Sequence, residues 1–172
     1  MIVKKLLKTL AIIVVLMSNI GCDQISKKIV RQRIEYHEQI GLLGNYFTIT
    51  KIENTGAFLS LGSSLAEPTR QALLTILPAI ALSIGLIYLL LKRNLSNLRI
   101  LGLSSIIGGG IGNIYGRIIF GSVTDFLHID FALFQTGIFN MADVSIVFGA
   151  SIILLDSYFA KKELNIEKKI SG

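Results

Sequence analysis

The sequence predicts a mainly α membrane protein, with four transmembrane helices carrying a small extracytoplasmic β-sheet. Three observations lead there. The chain is 52% hydrophobic with a mean hydropathy of +0.65, too apolar for an ordinary soluble domain of 172 residues. Its apolar residues gather into runs long enough to cross a hydrocarbon core, with lysines and arginines at their ends. Between the first two runs, Tyr46-Phe47-Thr48-Ile49-Thr50-Lys51-Ile52 alternates and is rich in β-branched and aromatic residues, which is a strand signal.

The first span is expected over about 6–22, after Lys4, Lys5 and Lys8. A basic start and a short apolar stretch also describe a signal peptide, and Ser18-Asn19-Ile20-Gly21-Cys22 resembles a lipoprotein cleavage box. Asn19 departs from that box, and the three later spans favour an uncleaved helix. The second span, 72–91, contains Pro78, expected to kink it, and stops at Lys92 and Arg93. The third covers 98–115. The fourth covers 142–159 and ends at Lys161-Lys162, beyond which the polar tail is expected to fray. Residues 1–172 read as one membrane-embedded domain with outer segments 23–71 and 116–141. In the first of these, the strand leads to a turn at Asn54-Thr55-Gly56.

Orientation follows from the basic residues. The N-terminus, the connection between the second and third spans, and the tail hold ten of them against two acidic ones, while the rest of the chain holds seven against nine. Both termini are therefore expected in the cytoplasm. Because the net charge of +6 lies in clusters beside apolar runs and not along one face, no nucleic-acid partner is expected. A single cysteine, Cys22, excludes an intrachain disulfide or a cysteine-based zinc site. His37 and His128 lack metal-binding spacing, so neither metal nor cofactor is expected.

Two aspartates in apolar company, Asp125 and Asp143, mark the candidate site. Two carboxylates sharing a proton can act as general base and general acid on water, hydrolysing an amide without metal or covalent nucleophile. The alternative makes Asp125 a surface loop residue and Asp143 part of a helix cap, with Asn140 at the N-cap position and Asp143 at N3. Asp23 and Lys27, four apart, form either a helical ion pair or two independent interfacial side chains. For Lys28 and Arg31 the interfacial reading is preferred. Gly108, Gly112 and Gly116 form a small-xxx-small face for close helix packing that would turn Asn113 inward. Asn54, Asn113 and Asn140 singly suit turns or caps, and together could hydrogen-bond a substrate backbone or the aspartates. A small transporter would place such polar groups at the midplane of inverted repeats, whereas here they gather at one face.

In order and spacing, these residues resemble the lipoprotein signal peptidase (signal peptidase II) family. The resemblance runs through Asp23-Gln24-Ile25-Ser26-Lys27, Asn54-Thr55-Gly56-Ala57, Gly108-Gly109-Gly110-Ile111-Gly112-Asn113, Arg117, Val123-Thr124-Asp125-Phe126 and Phe139-Asn140-Met141-Ala142-Asp143. It implies a multi-pass aspartyl endopeptidase of the bacterial inner membrane, active near the outer leaflet. Its substrates would be prolipoproteins with a diacylglyceryl-modified cysteine, cleaved just before that cysteine. Asp125 and Asp143 fall on the catalytic pair, and Asp23, Lys27, Asn54, Gly56, Asn113, Arg117 and Asn140 on supporting positions. The expected partners are these substrates and the phospholipid bilayer, and the expected state is a monomer. The chain departs from the family where Gly116, not an acid, precedes Arg117; an acid restored there is expected to be tolerated. That departure carries the alternative, a catalytically silent relative that binds lipid-modified peptides.

Overall fold

The computed structural model describes residues 2–43, 46–57, 60–131 and 134–171. Helix α1 spans Ile2–Arg33 and is followed by strands β1 (Ile40–Leu42) and β2 (Phe47–Asn54). The next apolar run is a short helix α2 (Glu67–Gln71), a π-helical turn (Ala72–Ile76) and helix α3 (Leu77–Leu91). Helix α4 (Asn97–Phe120), strand β3 (Val123–Ile129) and helix α5 (Met141–Ser171) complete the chain.

Among the described residues, three helices are long and apolar enough to cross a membrane: Val3–Arg33, Glu67–Leu91 and Met141–Lys162. They carry many large apolar side chains outward, among them Val14, Met17, Ile84, Leu91, Val147 and Leu154. α4 differs because its neighbours cover its glycines and serines. Ser96 caps its start by accepting from the Arg99 N–H at 3.0 Å. Gly121, at φ 72°, ends it with an N–H donated to the Arg117 carbonyl.

The glycine-rich stretch packs three helices at once. A Cβ at Gly108 would meet Asn19 and Leu16 on α1, one at Gly110 would meet Leu82 on α3, and one at Gly109 would meet the Ala142 carbonyl on α5. Close approach of backbones needs residues without side chains. Ile12, Leu89 and Ile107 form the buried apolar cluster within these helices.

Several boundaries differ from expectation. α1 does not stop near Cys22: it runs unbroken to Arg33, because Val30 and the following Ile34 pack with Phe126 under the sheet. Pro78 is preceded by the π turn, in which the Leu77 N–H reaches the Ala72 carbonyl. That wider turn adjusts the ladder next to the residue lacking a donor. The tail beyond Lys161 continues as helix to Ser171.

The sheet has the order β1-β2-β3, antiparallel throughout. The strand expected at 46–52 is β2, but its partner β3 comes from the other outer segment. Register places Asn54 opposite Val123, Glu53 opposite Thr124 and Ile52 opposite Asp125, with an irregularity between Ile49 and Ile52. Phe139 then pairs with Leu127, exchanging N–H···O bonds of 2.9 Å and 2.8 Å. This pairing returns the chain beside β3 immediately before Asn140 and α5.

Candidate active site

Asp125 lies on β3, 5% exposed, and is not a surface loop residue. Asn54, the last residue of β2, donates through Nδ2 to Asp125 Oδ2 at 2.9 Å, and Asn140 Nδ2 donates to Asp125 Oδ1 at 2.6 Å. Burial pushes the Asp125 carboxyl up to about 6; the Asn54 and Asn140 hydrogen bonds act against this, and the Asp143 charge adds to it.

Asp143 occupies N3 of α5 with Asn140 at the N-cap. The Asp143 N–H donates to Asn140 Oδ1 and the Asn140 N–H donates to Asp143 Oδ2, both at 3.1 Å. This is a reciprocal capping box. The cap and the candidate catalytic role therefore coexist: Oδ2 closes the box, while Oδ1 accepts from Asn113 Nδ2 at 2.9 Å. Asp125 and Asp143 line one cavity of about 210 Å³, together with Asn54, Ala57, Asn113, Arg117, Val123, Ile138 and Asn140.

Asp23 and Lys27 form an ion pair at 2.8 Å with both side chains fully buried, which excludes the interfacial alternative. The pair joins three helices. Lys27 Nζ donates to Asn113 Oδ1 on α4 at 2.9 Å. Asp23 Oδ1 accepts the Ala142 N–H of α5 at 2.9 Å, and Asp23 Oδ2 accepts from Gln24. Asn113 is oriented by this arrangement, since its oxygen meets an ammonium and its NH₂ must then face Asp143. A Cβ at Gly112 would strike Asp23 Oδ2 at 2.5 Å.

The remaining predicted residues close the other side. Gly56 N–H donates to Asn54 Oδ1 at 2.9 Å, and Arg117 Nη2 donates to the Gly56 carbonyl at 2.8 Å. A Cβ at Gly56 would collide with the backbone of Ser60 and Leu61. One hydrogen-bonded series thus runs Asp23, Lys27, Asn113, Asp143, Asn140, Asp125, Asn54, Gly56, Arg117, and it includes all nine residues singled out in the sequence. At Gly116 a Cβ would lie 3.0 Å from the Ser122 carbonyl oxygen. An added acid must therefore shift the Ser122 backbone, just before β3, by a few tenths of an ångström, a strain the sequence did not reveal.

Sequence reasoning missed a second layer. Arg31 is pinned: its Nε donates to Thr124 Oγ1 at 2.7 Å, and its guanidinium sits 3.9 Å over the Phe120 ring. Glu53 accepts from the hydroxyls of Thr124 at 2.7 Å and Ser122 at 2.5 Å. The available signal was adjacency, Glu53 beside Asn54 and Thr124 beside Asp125, and only cross-strand register gives it meaning.

With this geometry established, the comparisons with known proteins converge. Residues 12–159 match the family described as Signal peptidase (SPase) II. A lipoprotein signal peptidase of Aquifex aeolicus is 34% identical over 83% of this chain and 82% of its own length. One from Streptococcus pneumoniae is 35% identical over 90% of this chain and 94% of its own. A bacterial membrane enzyme solved by the in meso method at 2.3 Å superposes with a TM-score of 0.78 at 20% identity, covering 88% of this chain and 90% of that one, and so shares the fold.

Proposed function

The chain belongs to the signal peptidase II family, and on that premise we propose that it is an aspartic endopeptidase acting on diacylglyceryl-modified prolipoproteins. It cleaves just before the lipidated cysteine and releases the signal peptide. The observation that carries the aspartic reading is the pair Asp125 and Asp143 on one cavity, each held by asparagines that are themselves held. Asp143 acts as base: it takes a proton from water as the oxygen attacks the scissile carbonyl carbon. Asp125, raised to about 6 and so holding a proton more readily than an ordinary carboxylate, gives that proton to the carbonyl oxygen. In collapse the roles exchange, with Asp143 protonating the departing amine and Asp125 recovering a proton from the intermediate's hydroxyl. Asp23, Lys27, Asn54, Gly56, Asn113, Arg117 and Asn140 position this pair.

The dyad lies at the sheet end of the helices. At the other end Lys8 donates to the Lys92 carbonyl, and Arg99 pairs with Asp156 at 2.6 Å. The basic end suits the cytoplasm, so both termini face inward and the dyad lies near the outer leaflet of the inner membrane. The protein acts as a monomer without a cofactor. The catalytically silent reading rested on Gly116 alone; both carboxylates and their supports are assembled without an acid there, and the named relatives are peptidases, so that reading is set aside. The test is a gel-shift assay with purified protein and a diacylglyceryl-modified prolipoprotein. Loss of the signal peptide from the modified precursor, and not from its unmodified form, is expected. Intact precursor at all enzyme concentrations overturns the reading.

A further inference from the structure

Outside the dyad cavity, on the flank of α1 and α4, is a second cavity of about 400 Å³ lined by Gln24, Lys28, Arg31, Gln32, Tyr115 and Phe120. Gln24, which supports Asp23, and Arg31, bound to Thr124 beside Asp125, connect it to the catalytic surroundings. The α1 residues recur at helical spacing and form one polar stripe. Beside that stripe, Ile25 and Ile29 are 63% and 54% exposed, as expected of a surface that meets lipid. A polar stripe on such a face needs polar partners.

The donors present define the partner. Arg31 uses Nε on Thr124, yet its buried Nη2 has no hydrogen-bond partner among the described residues, which leaves a costly unmet donor. Lys28 is exposed and makes no ion pair among the described residues. Gln32 adds an amide. Glu53, 4.0 Å from Arg31 Nε, does not line the cavity, and its oxygens are taken by Ser122 and Thr124. A lysine, an arginine and a glutamine lining one space give it the positive charge and N–H donors that suit an oxyanion with several acceptors. Its α1 residues lie within three turns of Asp23, at the end where the helices give way to the sheet. Tyr115 and Phe120 flank it as interfacial aromatics do.

We propose that this cavity binds the phosphate of a membrane phospholipid headgroup, with the acyl chains lying along the apolar flank beside it. A free phosphate shares the headgroup chemistry but has no chains to lie there. The test is native mass spectrometry of the full-length protein titrated with phosphatidylglycerol, and with a diacylglycerol of the same chains. Phosphatidylglycerol is expected to bind at least about tenfold more tightly, and Lys28→Gln to remove about that factor. Arg31→Lys, which keeps the charge but loses the guanidinium edge, weakens binding too, whereas Lys92→Gln at the opposite end does not. Equal binding of the two lipids, or unchanged binding by Lys28→Gln, overturns the proposal. Displacement of phosphatidylglycerol by equimolar glycerophosphate overturns the lipid assignment in favour of a soluble phosphate ligand. No peptide substrate enters this experiment, so its failure is distinct from a failure of the peptidase reading.

Discussion

Replacing either carboxyl by its amide keeps shape while removing the proton that the chemistry moves. Asp125→Asn and Asp143→Asn are each expected to abolish cleavage with expression and membrane insertion intact; near-normal turnover by either excludes the dyad. Asp125 also makes a prediction about stability. Its folded value of about 6 lies above the ordinary 3.8, so the folded protein holds a proton that the unfolded chain releases. The stabilisation is fully present below pH 3.8 and is lost as pH rises through about 6, a difference of roughly 2–3 kcal/mol. Asp125→Asn removes this slope, and detergent-state melting at about pH 5 and about pH 7.5 reads it. If Asp125 is the acid of the proposed dyad, the rate profile is expected to show an alkaline limb near 6, as one macroscopic step of a coupled pair. A flat profile with chemistry rate-limiting contradicts it. Lys27→Ala strands a fully buried Asp23 and is expected to cost about 3–5 kcal/mol, seen as lost folded yield. The double variant Asp23→Asn/Lys27→Met recovers part of that yield without restoring full activity, because Asn113 has lost its orienting ammonium.

At the scale of elements, α4 is the member against which the others register, and its glycines are not equivalent. Gly109 faces the Ala142 backbone carbonyl, whereas Gly110 faces the movable end of the Leu82 side chain. Gly109→Ala is therefore expected to separate α4 from α5 and to lower thermal stability more than Gly110→Ala, whose neighbour can change rotamer. Gly112→Ala is expected to reduce activity more than stability, because the atom displaced is Asp23 Oδ2. Comparing melting temperature with turnover across the three variants checks the order. The small-xxx-small spacing in the sequence identified a packing face but could not assign its partners. Three consecutive glycines point to three different helices only because successive helical residues are about 100° apart.

For the molecule as a whole, the charge clusters and the site lie at opposite ends. Asp156 belongs with the basic end through Arg99 and Ser96, so one acid that the sequence could not place offsets part of the positive charge there. The bias still favours that end as cytoplasmic. Reporter fusions at the N- and C-termini are both expected to signal a cytoplasmic location, and a reporter inserted at Gly62 an external one. Any other combination inverts or breaks the proposed topology.

The sequence alone determined the helical membrane class, supplied the charge bias behind the proposed orientation, and singled out nine residues that the structure joins in one hydrogen-bonded series. Apolar runs, flanking charge and isolated carboxylates are local properties, each legible from its neighbours. It could place β2 by alternation, but not β3, whose Val123-Thr124-Asp125-Phe126 carries no clear period and becomes a strand by pairing with β2 and Phe139. It also left Asp143 between cap and catalyst, and Asp23 with Lys27 between ion pair and interface. Those alternatives involve the same residues in the same local structure. What decides the ion pair, and lets the cap and the candidate catalytic role coexist, is whether a distant group arrives within hydrogen-bond distance: Asn113 at Lys27 and at Asp143, Ala142 at Asp23, Asn54 at Asp125. Only tertiary packing brings them there, because the hydrogen bonds that orient the site join residues on different helices and strands.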